Sequence, residues 1–171
     1  MEQTQRKKNR LTEYDYSTAG AYFITVCTAE RRCLFWNGEA QTSRIESVGA
    51  TIGRPQTVTL STYGHLVDEA VRDIPRHYPT VAVDAYTVMP NHVHILLRIH
   101  AYENGRAMPA PTISTIIQQT KGIVTKRVGF SLWQRSYHDH VVRNRQDYDA
   151  IWAYIADNPR RWREDTLYCE E

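Results

Sequence analysis

Cysteine is scarce here. The chain of 171 residues has three, Cys27, Cys33 and Cys169, widely spaced and with no Cys-x-x-Cys pair. An odd, scattered set offers neither a disulfide framework nor a zinc cluster, and it reads as reduced thiols in a cytoplasmic protein. No apolar run approaches the roughly 20 residues of a bilayer span, and no signal-peptide pattern opens the sequence, so no membrane partner is expected. Gly-rich phosphate loops, Walker sequences, a Ser-His-Asp order and paired carboxylates are also missing, which leaves a helicase, kinase or glycosidase nothing to rest on. Large excess charge is lacking too, at +2 overall with a pI near 8.4. The length suits one domain, 1–171, with a real core.

Charge is present, but unevenly placed. Lys7, Lys8 and Arg10 crowd a basic N-terminal segment, 1–18. Lys121, Lys126, Arg127, Arg135, Arg143, Arg145, Arg160, Arg161 and Arg163 fill the last third, interrupted mainly by Asp139, Asp147, Asp149 and Asp157. This distribution suits a polyanion, whose phosphates would supply nonspecific affinity. It equally suits a solvated surface with locally balanced charge.

Ala21–Thr28 is β-branched and aromatic and predicts a buried strand. Residues 37–58 lack periodicity and read as a loop or insertion. A helix follows from Ser61 or Thr62 with Leu66, Ala70, Val71 and Ile74 as its stripe, closed by Pro75 and Pro79. Val81–Val88 is a second strand, with Val81, Val83 and Ala85 alternating against Asp84 and Tyr86. Met89-Pro-Asn91 is a tight turn, and His92–Ile99 is a third strand, antiparallel to the second. Residues 101–111 form a Gly/Pro-rich loop. Thr112–Val128 is helical, weakened at Gly122. Leu132–Val142 is extended, and Asp147–Asn158 is a last helix stopped by Pro159. The order predicts an α+β fold: a ferredoxin-like βαββαβ antiparallel sheet with helices on one face, plus a C-terminal helix.

On a strand, His92 and His94 point the same way while Val93 points oppositely. Two adjacent imidazoles suit a shared divalent cation, with a third ligand from elsewhere. The bland alternative is two polar residues at a strand end, although the turn before them and the apolar strand after them fit that poorly. Tyr154 and Asn158 lie one helical turn apart on one face. They could supply a phenol nucleophile and an amide ligand, or merely a core aromatic and a C-cap, with Tyr137 and Tyr148 as competing phenols. His138 and His140 form a rival pair at the same spacing. They could orient substrate or a ligand, or join His92 and His94 in a four-nitrogen zinc site.

Several stretches together resemble one known family. They are Asn9-Arg-Leu-Thr-Glu-Tyr-Asp-Tyr-Ser17, Tyr22-Phe-Ile-Thr-Val-Cys27, Met89-Pro-Asn-His-Val-His-Ile-Leu-Leu97, Trp133-Gln-Arg-Ser-Tyr137 and Tyr154-Ile-Ala-Asp-Asn-Pro159. They are similar to the tyrosine transposases associated with repetitive extragenic palindromes (REP), a branch of the single-tyrosine transposases with a His-hydrophobic-His motif. The resemblance spans nearly the whole chain except 37–58. It implies that His92 and His94 bind a divalent ion, Mg²⁺ or Mn²⁺, that Tyr154 on the last helix is the nucleophile, and that Asn158 completes the metal site. Insertion-sequence members carry a glutamine at that position, one methylene longer.

The implied activity is cleavage and rejoining of single-stranded DNA beside hairpins at palindromic repeats, through a 5′-phosphotyrosine and without ATP. The implied protein is cytoplasmic and works on the nucleoid as a monomer or homodimer. DNA contacts are expected from Arg10, Lys121, Lys126, Arg127, Arg135 and Arg143, with Tyr14 or Trp133 stacking on unpaired bases. The rival from another class is a ferredoxin-like module that binds nucleic acid without cutting it.

Overall fold

A computed structural model describes residues 15–37, 58–101 and 111–168. Arg10 and Tyr14 in the basic segment, nearly all of the 37–58 stretch, residues 102–110 and Cys169 lie outside the described residues.

Strand β1 (Gly20–Cys27) leads to helix α1 (Thr62–Arg72) and a single turn, α2 (Ile74–His77). Strands β2 (Val81–Val88) and β3 (His92–Ile99) form the expected hairpin, then come α3 (Ile113–Val128), β4 (His138–Val142) and α4 (Arg145–Asp157). The sheet order is β2-β3-β1-β4, antiparallel at every step. This is the ferredoxin-like arrangement read from the sequence.

Helix starts follow side-chain caps. Ser61 accepts from the Gly64 N–H, Thr112 from Thr115 and Asn144 from Asp147. Each satisfies a donor that the first turn leaves orphaned. The Asn144 cap explains why α4 begins before Asp147. Gly122 does not interrupt α3, because Ile116, Ile117, Thr120 and Val124 bury the helix around it. Pro159 follows the end of α4 at Asp157, as expected, without ending helical structure altogether. It occupies the first turn of a 3-10 segment, Asn158–Glu164, where a missing N–H costs nothing. Of the extended stretch Leu132–Val142, the strand proper is His138–Val142, preceded by one bridge from Trp133 to Thr28.

The parity of β3 divides the molecule. Val93, Ile95, Leu97 and Ile99 join the main core with Val67 and Val71 of α1 and Ile113, Ile116 and Ile117 of α3. Leu96 points to the other face, where Ile151 and Ile155 of α4 cover it. Helices α1 and α3 therefore share one face, and α4 has the opposite face, the one that carries His92 and His94. Three buried aliphatic side chains hold α4 there, worth on the order of 5–9 kcal/mol gross.

The alternation expected for β2 fails at one residue. The register shifts between Val83 and Ala85, so Asp84 is an extra residue in a β-bulge. Ala85 consequently leaves the face of Val81 and Val83 and packs under α4 with Phe23 and Val142. The bulged Asp84 accepts hydrogen bonds from Arg98 Nε at 2.7 Å and the Tyr148 hydroxyl at 2.9 Å, which clamps α4 to the sheet. Among the described residues no helix is long and apolar enough to cross a membrane.

Candidate metal centre and tyrosine

Because His92 and His94 sit at alternate positions of β3, their rings meet on the α4 face. Both are buried, and their Nε2 atoms lie 3.0 Å apart. Each Nδ1 is engaged elsewhere. Asn91 Oδ1, which can only accept, stands 2.8 Å from His92 Nδ1 and fixes the proton there, leaving Nε2 bare. Thr25 Oγ1, across the ladder on β1, stands 2.9 Å from His94 Nδ1. A hydroxyl donates or accepts, so it serves either tautomer of His94. Burial pushes the His92 imidazolium down to about 2, helped by His94, and burial alone pushes His94 down to about 4 against an upward pull from Asp165. Both rings are neutral at neutral pH, the state that binds metal.

The 3-10 turn after α4 brings up two further oxygens. Asp165 Oδ2 lies 3.7 Å from His92 Nε2, and the carboxylate is 1% exposed. Ligand atoms of His92, His94 and Asp165 all fall within 4.8 Å of one another. Asp165 Oδ2 and Asn158 Oδ1 are both buried without a hydrogen-bond partner. An orphaned amide oxygen costs about 1–3 kcal/mol. The Asp165 carboxylate accepts the Leu167 N–H at Oδ1 and leaves Oδ2 open. The residues fit a divalent cation: the two Nε2 atoms and the unsatisfied Asp165 oxygen lie together, and Asn158 lines the same cleft.

Tyr154 closes the site. Its hydroxyl is 3.3 Å from His94 Nε2, and its ring meets Phe23 edge-on at 6.0 Å. The residue is 44% exposed, so an incoming strand can reach it. Burial raises its pKa most and Asp165 adds to that, while the Asn158 amide, in hydrogen-bonding range, and Arg161 lower it. A cleft of about 430 Å³ opens here, lined by Ala153, Tyr154, Asn158, Arg161, Asp165 and Thr166. The competing phenols are elsewhere: Tyr137 is buried against Ser114, and Tyr148 is bonded to Asp84.

His92, His94, Tyr154 and Asn158 are thus brought together as the sequence predicts. His138 and His140 share their sheet face, opposite Thr25 and Phe23 on β1, with His140 Nε2 held by Asp147 at 2.8 Å. Strand β1 lies between the two histidine pairs, so a closed four-nitrogen site does not form.

The basic residues divide. Lys121, Lys126 and Arg127 ride on α3, on the opposite face of the sheet. Lys121 Nζ is spent on the carbonyls of Gln134 and Arg135, and Arg127 pairs with Glu69 at 2.6 Å. Arg135 is exposed beside Lys121. Arg143 lies at the start of α4 in a recess of about 650 Å³ with Arg98, His100 and Arg145. Trp133 is half-buried against Phe35. Sequence reasoning missed Asp165 and the supporting roles of Asn91 and Thr25. Asp165 stands in no periodic pattern, and Asn91 reads as a turn residue.

No protein-family model matches the chain. An uncharacterized protein of Haemophilus influenzae is 32% identical over 184 residues, covering 96% of this chain and 94% of that protein. Among solved structures, a REP-associated tyrosine transposase bound to a REP hairpin is similar, with a TM-score of 0.58 and 22% identity. That alignment covers 88% of this chain and 74% of the other, and it shows a common fold.

Proposed function

From a chain that belongs to one family with the Haemophilus influenzae protein and has the fold of a REP-associated tyrosine transposase, we propose a transposase-like enzyme. It cuts and rejoins single-stranded DNA at hairpin-forming palindromic repeats, in a metal-dependent reaction. The observation that carries this reading is the 3.3 Å approach of the Tyr154 hydroxyl to a histidine pair whose Nε2 atoms face each other.

His92 and His94, with an oxygen from Asn158 or Asp165, would hold Mg²⁺ or Mn²⁺. Bound there, the ion supplies charge withdrawal from a nonbridging phosphate oxygen. Tyr154 attacks the phosphorus in line, a Tyr–O–P bond forms as the P–O3′ bond breaks, and the proton the phenol gives up is matched by one taken up at O3′, which leaves as the 3′-hydroxyl. Attack by a 3′-hydroxyl on the phosphotyrosine reverses the step. Phe23 meets the Tyr154 ring edge-on. Neutralising Asp165 would remove one of the two influences that raise the tyrosine pKa. Arg143 and its basic recess stand on the tyrosine's side of the sheet and are assigned to the DNA backbone, with Lys126 and Arg135 as outlying contacts. Lys121 serves the fold.

The test is covalent trapping on hairpin oligonucleotides from the chain's own genomic palindromes, with Mn²⁺. Wild type should give a denaturant-resistant protein–DNA band, and Tyr154→Phe should give none. A band from Tyr154→Phe would remove the nucleophile assignment. Tight binding of the hairpin with no band under any divalent ion would favour the non-cutting module.

A further inference from the structure

We propose that Asp165, rather than Asn158, supplies the oxygen ligand beside His92 and His94, and that Asn158 acts instead on Tyr154. The inference rests on the metal-dependent reading above and assigns its third ligand.

Placement favours the carboxylate. Asp165 Oδ2 faces His92 Nε2 at 3.7 Å and joins both imidazoles in one cluster. Its freedom to turn away is small, because Oδ1 accepts the Leu167 N–H at 2.7 Å and so holds the turn. Oδ2 is sealed from solvent with no donor, and the two Nε2 atoms beside it are turned to each other. A fixed, enclosed negative charge in that position calls for a cation more strongly than a neutral amide does.

Asn158 is placed for a different task. It follows Tyr154 by one helical turn, its N–H donates to the Tyr154 carbonyl, and its side-chain amide is in hydrogen-bonding range of the phenol. Donation to that oxygen holds it for attack and stabilises the charge it gains.

Asn91 couples the two ligand segments. Its Oδ1 accepts the His92 Nδ1–H, while its Nδ2 donates to the Leu167 carbonyl at 2.9 Å, two residues beyond Asp165. One side chain therefore sets both His92 and the carboxylate turn. Two nitrogens and one carboxylate also suit Mn²⁺ better than Mg²⁺.

The experiment measures Mn²⁺ binding by calorimetry on the full chain, with melting curves in chelator and in Mn²⁺. Asp165→Asn should weaken Mn²⁺ at least about tenfold, the loss typical even of removing a group that supports a ligand. In chelator the same variant should melt no lower than wild type, because a buried charge has gone, and the Mn²⁺-induced rise in Tm should vanish. Asn158→Ala should keep Mn²⁺ affinity within about threefold. A lower melting point of Asp165→Asn in chelator would mean a structural role and overturn the proposal, as would strong loss of Mn²⁺ in Asn158→Ala alone. His92→Ala separates the two levels. If it abolishes Mn²⁺ binding while Asp165→Asn does not, this assignment falls and the metal-dependent reading stands. If wild type binds no Mn²⁺, both fall.

Discussion

The Nε2 atoms of His92 and His94 stand 3.0 Å apart, each ring pinned at its other nitrogen by a neighbour, Asn91 or Thr25. At that separation two bare nitrogens repel, so something positive lies between them. In the metal-free protein it is a proton, donated by His94 to His92 while the Thr25 hydroxyl donates to His94 Nδ1. A cation held by both Nε2 atoms would need the His94 proton on Nδ1, with Thr25 as its acceptor. Binding an ion would therefore require one tautomer change.

The burial of these rings makes stability depend on pH. Both folded values lie below the ordinary 6.5, at about 2 for His92 and about 4 for His94. The unfolded chain therefore takes up protons that the folded chain refuses. Their contribution is complete above pH 6.5 and is lost as pH falls towards the folded values. For metal-free protein the unfolding free energy should drop with a slope approaching two protons, about 2.7 kcal/mol per pH unit, between roughly pH 6 and 4.5. Urea titrations at half-unit intervals read this directly. A flat profile over that window would contradict the buried, neutral pair.

Thr25→Val keeps the shape of the side chain and removes the hydroxyl. Either tautomer of His94 then has a buried ring nitrogen without a partner, a cost of about 1–3 kcal/mol. Mn²⁺ affinity should fall about 10- to 100-fold, because the proton on Nδ1 loses its acceptor. Calorimetry on the folded variant checks it. Unchanged affinity would show that Thr25 does not hold the ring.

Much of this site is legible in the sequence because it is local. His92 and His94 are two residues apart on a strand, Tyr154 and Asn158 four apart on a helix, and regular geometry puts each pair on one face. The strand bounds of β2 and β3 follow from the turn between them. Asp165 and Thr25 were hidden because contact across the fold, not spacing, brings them in. Asp84 was hidden because one extra residue leaves the apparent alternation intact while reversing its phase. Lys121, expected from its charge to contact DNA, has its amine on the main-chain carbonyls of Gln134 and Arg135.

Two glycines in helices should respond oppositely to alanine. A Cβ on Gly64 would lie 2.2 Å from the Phe35 carbonyl oxygen, which backbone cannot yield cheaply. Gly64→Ala should cost at least about 2 kcal/mol. A Cβ on Gly122 would meet nothing within 4 Å in the middle of α3. Gly122→Ala should add about 0.5–1 kcal/mol by restricting the unfolded chain and favouring helix. Thermal melts of the two variants decide it, and a destabilised Gly122→Ala would mean that α3 packs there against something further.

The bulge at Asp84 joins fold to chemistry. Few apolar side chains hold α4, so the bonds from Arg98 and Tyr148 to Asp84 carry part of its docking. Asp84→Ala should destabilise the protein by about 1–3 kcal/mol, because the Tyr148 hydroxyl loses its acceptor and Arg98 its ion pair. The metal pair sits on β3, and Asp165 is tied to that hairpin through Asn91 and Leu167, so Mn²⁺ affinity should stay within about threefold. Tyr154 rides on α4 itself. A shift of even about 1 Å in a reacting group costs about 10²-fold in rate, so adduct formation should fall much further than Mn²⁺ binding. Equal losses in both measurements would mean that α4 and the metal centre move as one body, and that the clamp does not position the tyrosine independently.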